Sequence, residues 1–227
     1  MSLRVANMSK SIDLNQYQII RKDARGCFVE IKSDSFPIGK IHLEFATYDK
    51  SRPEGQRQTN HVNIYIAAPE FMNLAHFILY GGCHAYMAQL KKQGGDAMNK
   101  PLFQSLGGTS AKRLAQYGRP REDKKSLSRS VKLFAGSRAD YMFCAESGPG
   151  EEDAKGLIVP KYGAHPEQKV TVALSMASLN EMMLSTMMHY QAWLVSSYSG
   201  YQPPQRSYGS DDGMENGKGF ADDTQMF

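Results

Sequence analysis

Two stretches of this chain, 108 residues apart, make the same passage from strand to helix. When "HVNIYIAAPEFMNLAHFIL" is laid on "KVTVALSMASLNEMMLSTM" without a gap, Val62 falls on Val170, Ile64 on Val172, Ile66 on Leu174, Phe71 on Leu179 and Leu74 on Met182. In the first part of each copy, apolar residues alternate with polar ones, so one side of an extended strand is packed and the other is wet. The apolar residues that follow recur at helical spacing, and a helix of that kind covers the apolar face of a sheet. A repeat this long is a duplicated folding unit rather than a solenoid.

The same alternation marks further strands. In "KIHLEFATYD", Ile41, Leu43 and Phe45 point one way while Lys40, His42, Glu44 and Tyr48 point the other. "CFVEIKSD" reads as a strand and "QYQIIRKD" as a weaker one; the second half adds "SRSVKLFAGS", "DYMFCAES" and "GLIVPKYG" before its strand-to-helix passage. The expected fold is α+β: two pseudo-repeats, each an antiparallel four-stranded sheet followed by a helix. The expected division is an N-terminal arm over 1–15, a first unit over 16–93, a basic linker over 94–126, a second unit over 127–199 and a disordered acidic tail over 200–227. The first long helix opens with Pro69 and Glu70 and is expected to run unbroken to Lys92. The linker holds one short helix, Ser110 to Tyr117, with a serine cap. The second long helix carries Met176, Met182, Met183, Met187 and Met188 as core fillers, and Tyr190 and Trp193 anchor it against a sheet edge.

Charge is unevenly placed. The formal total is +4, but from Asp211 onward five acids face one lysine, which leaves the body at +8. Lys91 to Lys125 alone holds nine basic residues against three acids. A basic body points to a polyanionic partner rather than to a membrane, because no basic amphipathic helix accompanies the charge. No apolar run is long enough to span a bilayer and no secretory leader is evident, so the expected location is cytoplasmic. The three cysteines are far apart without a CxxC pair, which points to reduced thiols rather than a disulfide framework or a zinc ribbon.

Catalytic signatures are absent. "GGTSAKR" lacks the spacing of a Walker loop, and the six histidines are dispersed, with no HExxH motif or nucleophile elbow. The reading is therefore a binding protein with no cofactor, no resident metal and no catalytic residue. A minor alternative places a metal between His42, His61 and Glu44 for nuclease chemistry.

On the wet strand faces, aromatics alternate with lysines, an arrangement suited to single strands. Unpaired bases stack on aromatic rings while cations neutralise successive phosphates. The candidate nucleic-acid-binding residues are Lys32, Lys40, His42, Tyr48, Lys50, Arg52, Arg57, Asn63 and Tyr65 in the first half. Lys112 and Arg113 in the linker join them, with Lys132, Phe134, Tyr141, Lys161 and Tyr162 in the second half. The competing explanation for any one ring is a cross-strand pair or an oligomer contact.

The duplicated units, carried by "NHVNIYIAAPEFMNLAHFIL" and "QKVTVALSMASLNEMMLST" with the strands before them, resemble the Whirly and Pur-type single-stranded nucleic-acid-binding families. The resemblance is architectural and spans most of Gln16 to Ser197. It implies a strand lying across curved sheets, and the long basic linker departs from it. The end, "GFADDTQMF", resembles the tips of bacterial and phage single-stranded DNA-binding proteins, with Asp222, Asp223 and Phe227 matching the acidic, Phe-ended pattern. That implies a hook for replication or recombination proteins and a competitor for the basic body. The expected function is sequence-tolerant binding of single-stranded DNA, with RNA as the other substrate of the same chemistry, in replication, recombination or transfer of a phage or mobile element. A monomer with pseudo-twofold symmetry and a homo-oligomer both fit. The runner-up is a transcriptional regulator of the same fold.

Overall fold

Gln18–Ala24 (β1), Cys27–Lys32 (β2), Lys40–Tyr48 (β3) and Gln58–Ala67 (β4) pair in chain order as an antiparallel meander. The register sets Val29 opposite Phe45 and Leu43 opposite Ile64, so the apolar parity of every strand falls on one face. In this computed structural model, which describes residues 16–137 and 139–199, β4 passes directly into the helix Ala68–Leu79 (α1). Asp222, Asp223 and Phe227 lie outside the described residues, as do the arm before residue 16 and the rest of the tail.

The second sheet contains Phe103–Thr109 (β5), Ser126–Ala135 (β6), Tyr141–Glu152 (β7), Ile158–Pro160 (β8) and Gln168–Leu174 (β9). Its order is β5-β6-β7, with β9 on the first part of β7 and the three-residue β8 on its far end. β9 then enters the long helix Met176–Tyr198 (α4), whose first turn is capped by the Ser175 hydroxyl accepting from the Ser178 N–H at 3.1 Å. The protein is therefore α+β, with two antiparallel sheets and helices.

Two expectations need correction. The stretch read as linker contributes a strand, β5, whose "FQSLGG" lacks an alternating apolar signal but pairs along its length with β6. The four-stranded meander that leads into α4 is thus β5-β6-β7-β9, and β8 is an excursion between its last two strands. The first long helix is broken as well: α1 ends at Leu79, and Gly82–Gln93 forms a separate helix (α2). Gly81 sits at the break with φ of +82°, a left-handed backbone that only glycine adopts without strain. The short linker helix forms as expected over Ala111–Gln116 (α3), capped by Ser110.

The apolar faces of both sheets share one core. Phe45 meets Phe143 edge-on at 5.1 Å, and Leu43, Ile64, Val131, Leu133 and Val172 join the same cluster. Each such fully buried side chain contributes about 1.5–3 kcal/mol. α4 adds Leu179, Met182 and Met183, all buried, while Met176 and Met188 are exposed. Tyr190 and Trp193 pack edge-on against Phe36, in the short turn of helix Phe36–Ile38 between β2 and β3. No helix among the described residues is long and apolar enough to cross a membrane.

Candidate nucleic-acid interface

Tyr65 owes its position to the β3–β4 register, which sets it directly opposite His42 on the outward face of the first sheet. The two rings are stacked, with centroids 4.4 Å apart and planes 21° apart. His42 is buried and held on both sides, Nδ1 hydrogen-bonded to Asp34 at 2.9 Å and Nε2 to Asn63 at 2.9 Å. A fixed imidazole thus backs one side of the tyrosine, which remains 46% exposed. A ring held this way loses little freedom when a base stacks on it.

Beside Tyr65 opens a cleft of about 550 Å³, between the β4 edge of the first sheet and β5, β6 and β8 of the second. Lys40, Arg113 and Arg129 line it, together with Glu70 and Glu152. Arg129 continues the row of Val131 and Leu133 on the core-facing side of β6, at the end where the core gives way to the cleft. Its Nη1 donates to Thr109 Oγ1 at 3.1 Å, and no carboxylate lies within ion-pair distance of it among the described residues. Burial pushes its pKa below the usual guanidinium value, yet an arginine stays charged in any folded protein. Among the described residues only one of its five N–H donors, to Thr109, has a hydrogen-bond acceptor. The wall at Gly108 has no space for a side chain, because a Cβ there would lie 2.3 Å from the Leu127 carbonyl oxygen.

A second aromatic and cationic cluster occupies the opposite end of the same sheet face. The Arg21 guanidinium carbon lies 3.6 Å from the Phe28 ring centroid, and Tyr48 sits 6.5 Å from Phe28. Lys50 stands 5.9 Å over the Tyr48 ring, and Arg57 completes an open groove of about 540 Å³. His42 and Tyr48 lie six residues apart on β3, so the two clusters are about 20 Å apart.

The cations between them are already engaged, which corrects the view of this face as a free phosphate track. Lys32 is bound to Glu44 and lies 3.5 Å from Glu30, and His61 hydrogen-bonds Glu44 at 2.8 Å. The hydrogen bond from His61 and the bond and charge of Lys32 outweigh burial and hold the Glu44 carboxyl at about 2. On the second sheet, Lys132 and Lys169 each contact Glu146 at 2.9 Å. Tyr141 points into the core and is 2% exposed, in parity with Phe143 and Ala145. It cannot stack on a base; burial and the neighbouring Cys83 raise its hydroxyl to about 12.

The remaining candidates are scattered. Phe134 and Lys161 are half-buried, and Tyr162 is 94% exposed on the loop after β8, lining neither cleft. Arg52 lies 3.6 Å from Asp49, and Lys112 is exposed on α3 beside Arg113. The proposed metal site is not assembled, since His42 faces Tyr65 while His61 faces Ala46. Among the described residues no group of three His, Cys, Asp or Glu is arranged to hold an ion.

Sequence reasoning missed Arg129, Thr109, Arg21 and Phe28. Arg129 leaves a trace in "SLSRSVKLFA", where a cation stands in the apolar parity of a strand; that intrusion is a usable signal. No protein-family model, curated protein or solved structure matches the chain.

Proposed function

We propose that this protein binds single-stranded DNA with little sequence preference, through stacking on Tyr65 and phosphate capture by Arg129, which pairs with no carboxylate among the described residues. The observation that carries the reading is their juxtaposition: an exposed tyrosine backed by an anchored histidine, beside a half-buried guanidinium with no ion-pair carboxylate among the described residues. Lys40 and Arg113 add charge around them. A base presents a stackable face and its backbone an anion, so both groups gain a partner from one ligand. Duplex DNA keeps its bases stacked on each other and would leave Tyr65 unused.

The Whirly-like duplication belongs to the same proposal. It is supported by two meanders, β1 to β4 leading into α1 and β5-β6-β7-β9 leading into α4. The cross-strand pairs Leu43–Ile64 and Phe143–Val172 then occupy corresponding places. A cytoplasmic role in replication or recombination, with Asp222, Asp223 and Phe227 recruiting partner proteins, accompanies the reading on the strength of the sequence. The test is a binding titration with a labelled single strand. Tyr65→Ala and Arg129→Gln are each expected to weaken binding by about 1 kcal/mol or more. Wild-type affinity in both variants would place the strand elsewhere.

A further inference from the structure

The cleft does not stop at Arg129. Arg129 and Thr109 also wall a second recess, of about 510 Å³, which Leu114, Tyr117 and Arg119 line as well. Successive residues of α3 line the two spaces, Arg113 the one that holds Tyr65 and Leu114 the one that holds Tyr117. Tyr117 is 64% exposed, and Arg119 makes no ion pair among the described residues.

The recess is built rather than incidental. Leu114 is buried, the Ala111 N–H donates to Ser126 Oγ at 3.1 Å, and the Arg119 N–H donates to the Leu114 carbonyl at 2.9 Å, which fixes α3 and the turn carrying Tyr117. Arg121 secures the segment beyond. Its guanidinium donates to Glu167 at 2.6 and 2.9 Å and to Asp123 at 3.0 and 3.1 Å, tying this segment to the loop before β9. Arg121 is therefore committed to protein carboxylates, whereas Arg119 and Arg129 have none among the described residues.

Resting on the strand-binding reading above, we propose that the single strand passes from Tyr65 across Arg129 and around α3 to a second stacking platform on Tyr117. Two bases then stack at the ends of a path whose middle phosphate lies on Arg129, and Arg119 takes a phosphate beyond. The β5–β6 connection that carries α3, Tyr117 and Arg119 is thus half of the binding site, not a diffuse source of positive charge. Its contribution depends on strand length, because a strand of about four nucleotides satisfies one platform while one of about twelve reaches both.

The experiment compares labelled oligodeoxythymidylates of about four and about twelve nucleotides on the full chain, using wild type, Tyr65→Ala, Tyr117→Ala and Arg119→Gln, with melting curves as the folding control. Tyr117→Ala is expected to weaken the longer strand by about five- to tenfold and to shrink its advantage over the shorter one. Arg119→Gln is expected to lower the salt slope by about one phosphate contact. A Tyr117→Ala variant that melts as wild type and binds both lengths with wild-type affinity, while Tyr65→Ala is impaired, overturns the path and leaves the proposed function standing. Wild-type binding in both tyrosine variants overturns both. In wild-type protein, photo-crosslinking of a bromodeoxyuridine-substituted strand is expected to mark the peptides holding Tyr65 and Tyr117. Marking of the Tyr65 peptide alone contradicts the path whatever the folding of the variants.

Discussion

Arg129 separates binding from stability at the scale of one residue. Among the described residues this half-buried cation has no carboxylate, so it gives up hydration and gains only the Thr109 hydroxyl. Arg129→Gln is therefore expected to melt at or above the wild-type temperature, with a gain of up to about 1 kcal/mol, while its strand affinity falls. A melting scan beside a binding titration checks both halves; a destabilised variant would mean that the guanidinium holds the fold. Glu44 is the opposite case, with its carboxylate held by His61 and Lys32. Its folded value of about 2 lies below the ordinary 4.5, so folding favours the charged form. That stabilisation is complete above about pH 4.5 and is lost as pH falls toward about 2. Denaturant melts at pH 3 and pH 6 are expected to show a smaller loss on acidification in Glu44→Gln than in wild type, with an equal loss counting against the pairing.

Among the elements, the alternating strands were legible and the irregular ones were not. β3, β4 and β9 carry strict apolar alternation and formed as read. β5 could not be found that way, because Ser105, Gly107 and Gly108 supply no packing pattern and the strand is fixed by its partner β6. Tyr141 shows the limit of parity: at the first position of a strand, its face is settled by the neighbours Phe143 and Ala145, not by its own chemistry. The break between α1 and α2 was masked by continuous apolar spacing, although Gly81 and Gly82 marked it. Gly81→Ala is expected to destabilise the protein by about 1 kcal/mol or more, since φ of +82° strains any residue with a Cβ. An unchanged melting temperature would show that the break relaxes into one helix.

For the whole molecule, charge and site location parted company. The lysines of the wet faces were legible as cations, but a sequence does not tell which carboxylate will neutralise them. Lys32 and Lys132 end in ion pairs with Glu44 and Glu146, whereas Arg129, hidden in an apolar row, has no acid paired with it among the described residues. The candidate site lies at the junction of the two sheets, where β4 and β5 border one cleft, and no single strand pattern encodes that meeting. What the sequence does carry is the pair of strand-to-helix passages, which brings two sheets onto one core and so creates the junction. The most direct test is a fluorescence-anisotropy titration of the full chain against a labelled single strand and its matched duplex at low and high salt. The account predicts tighter binding of the single strand, an affinity that falls steeply as salt rises, and a loss of the single-strand preference in Tyr65→Ala. Equal affinity for the two forms in the wild-type protein would contradict it.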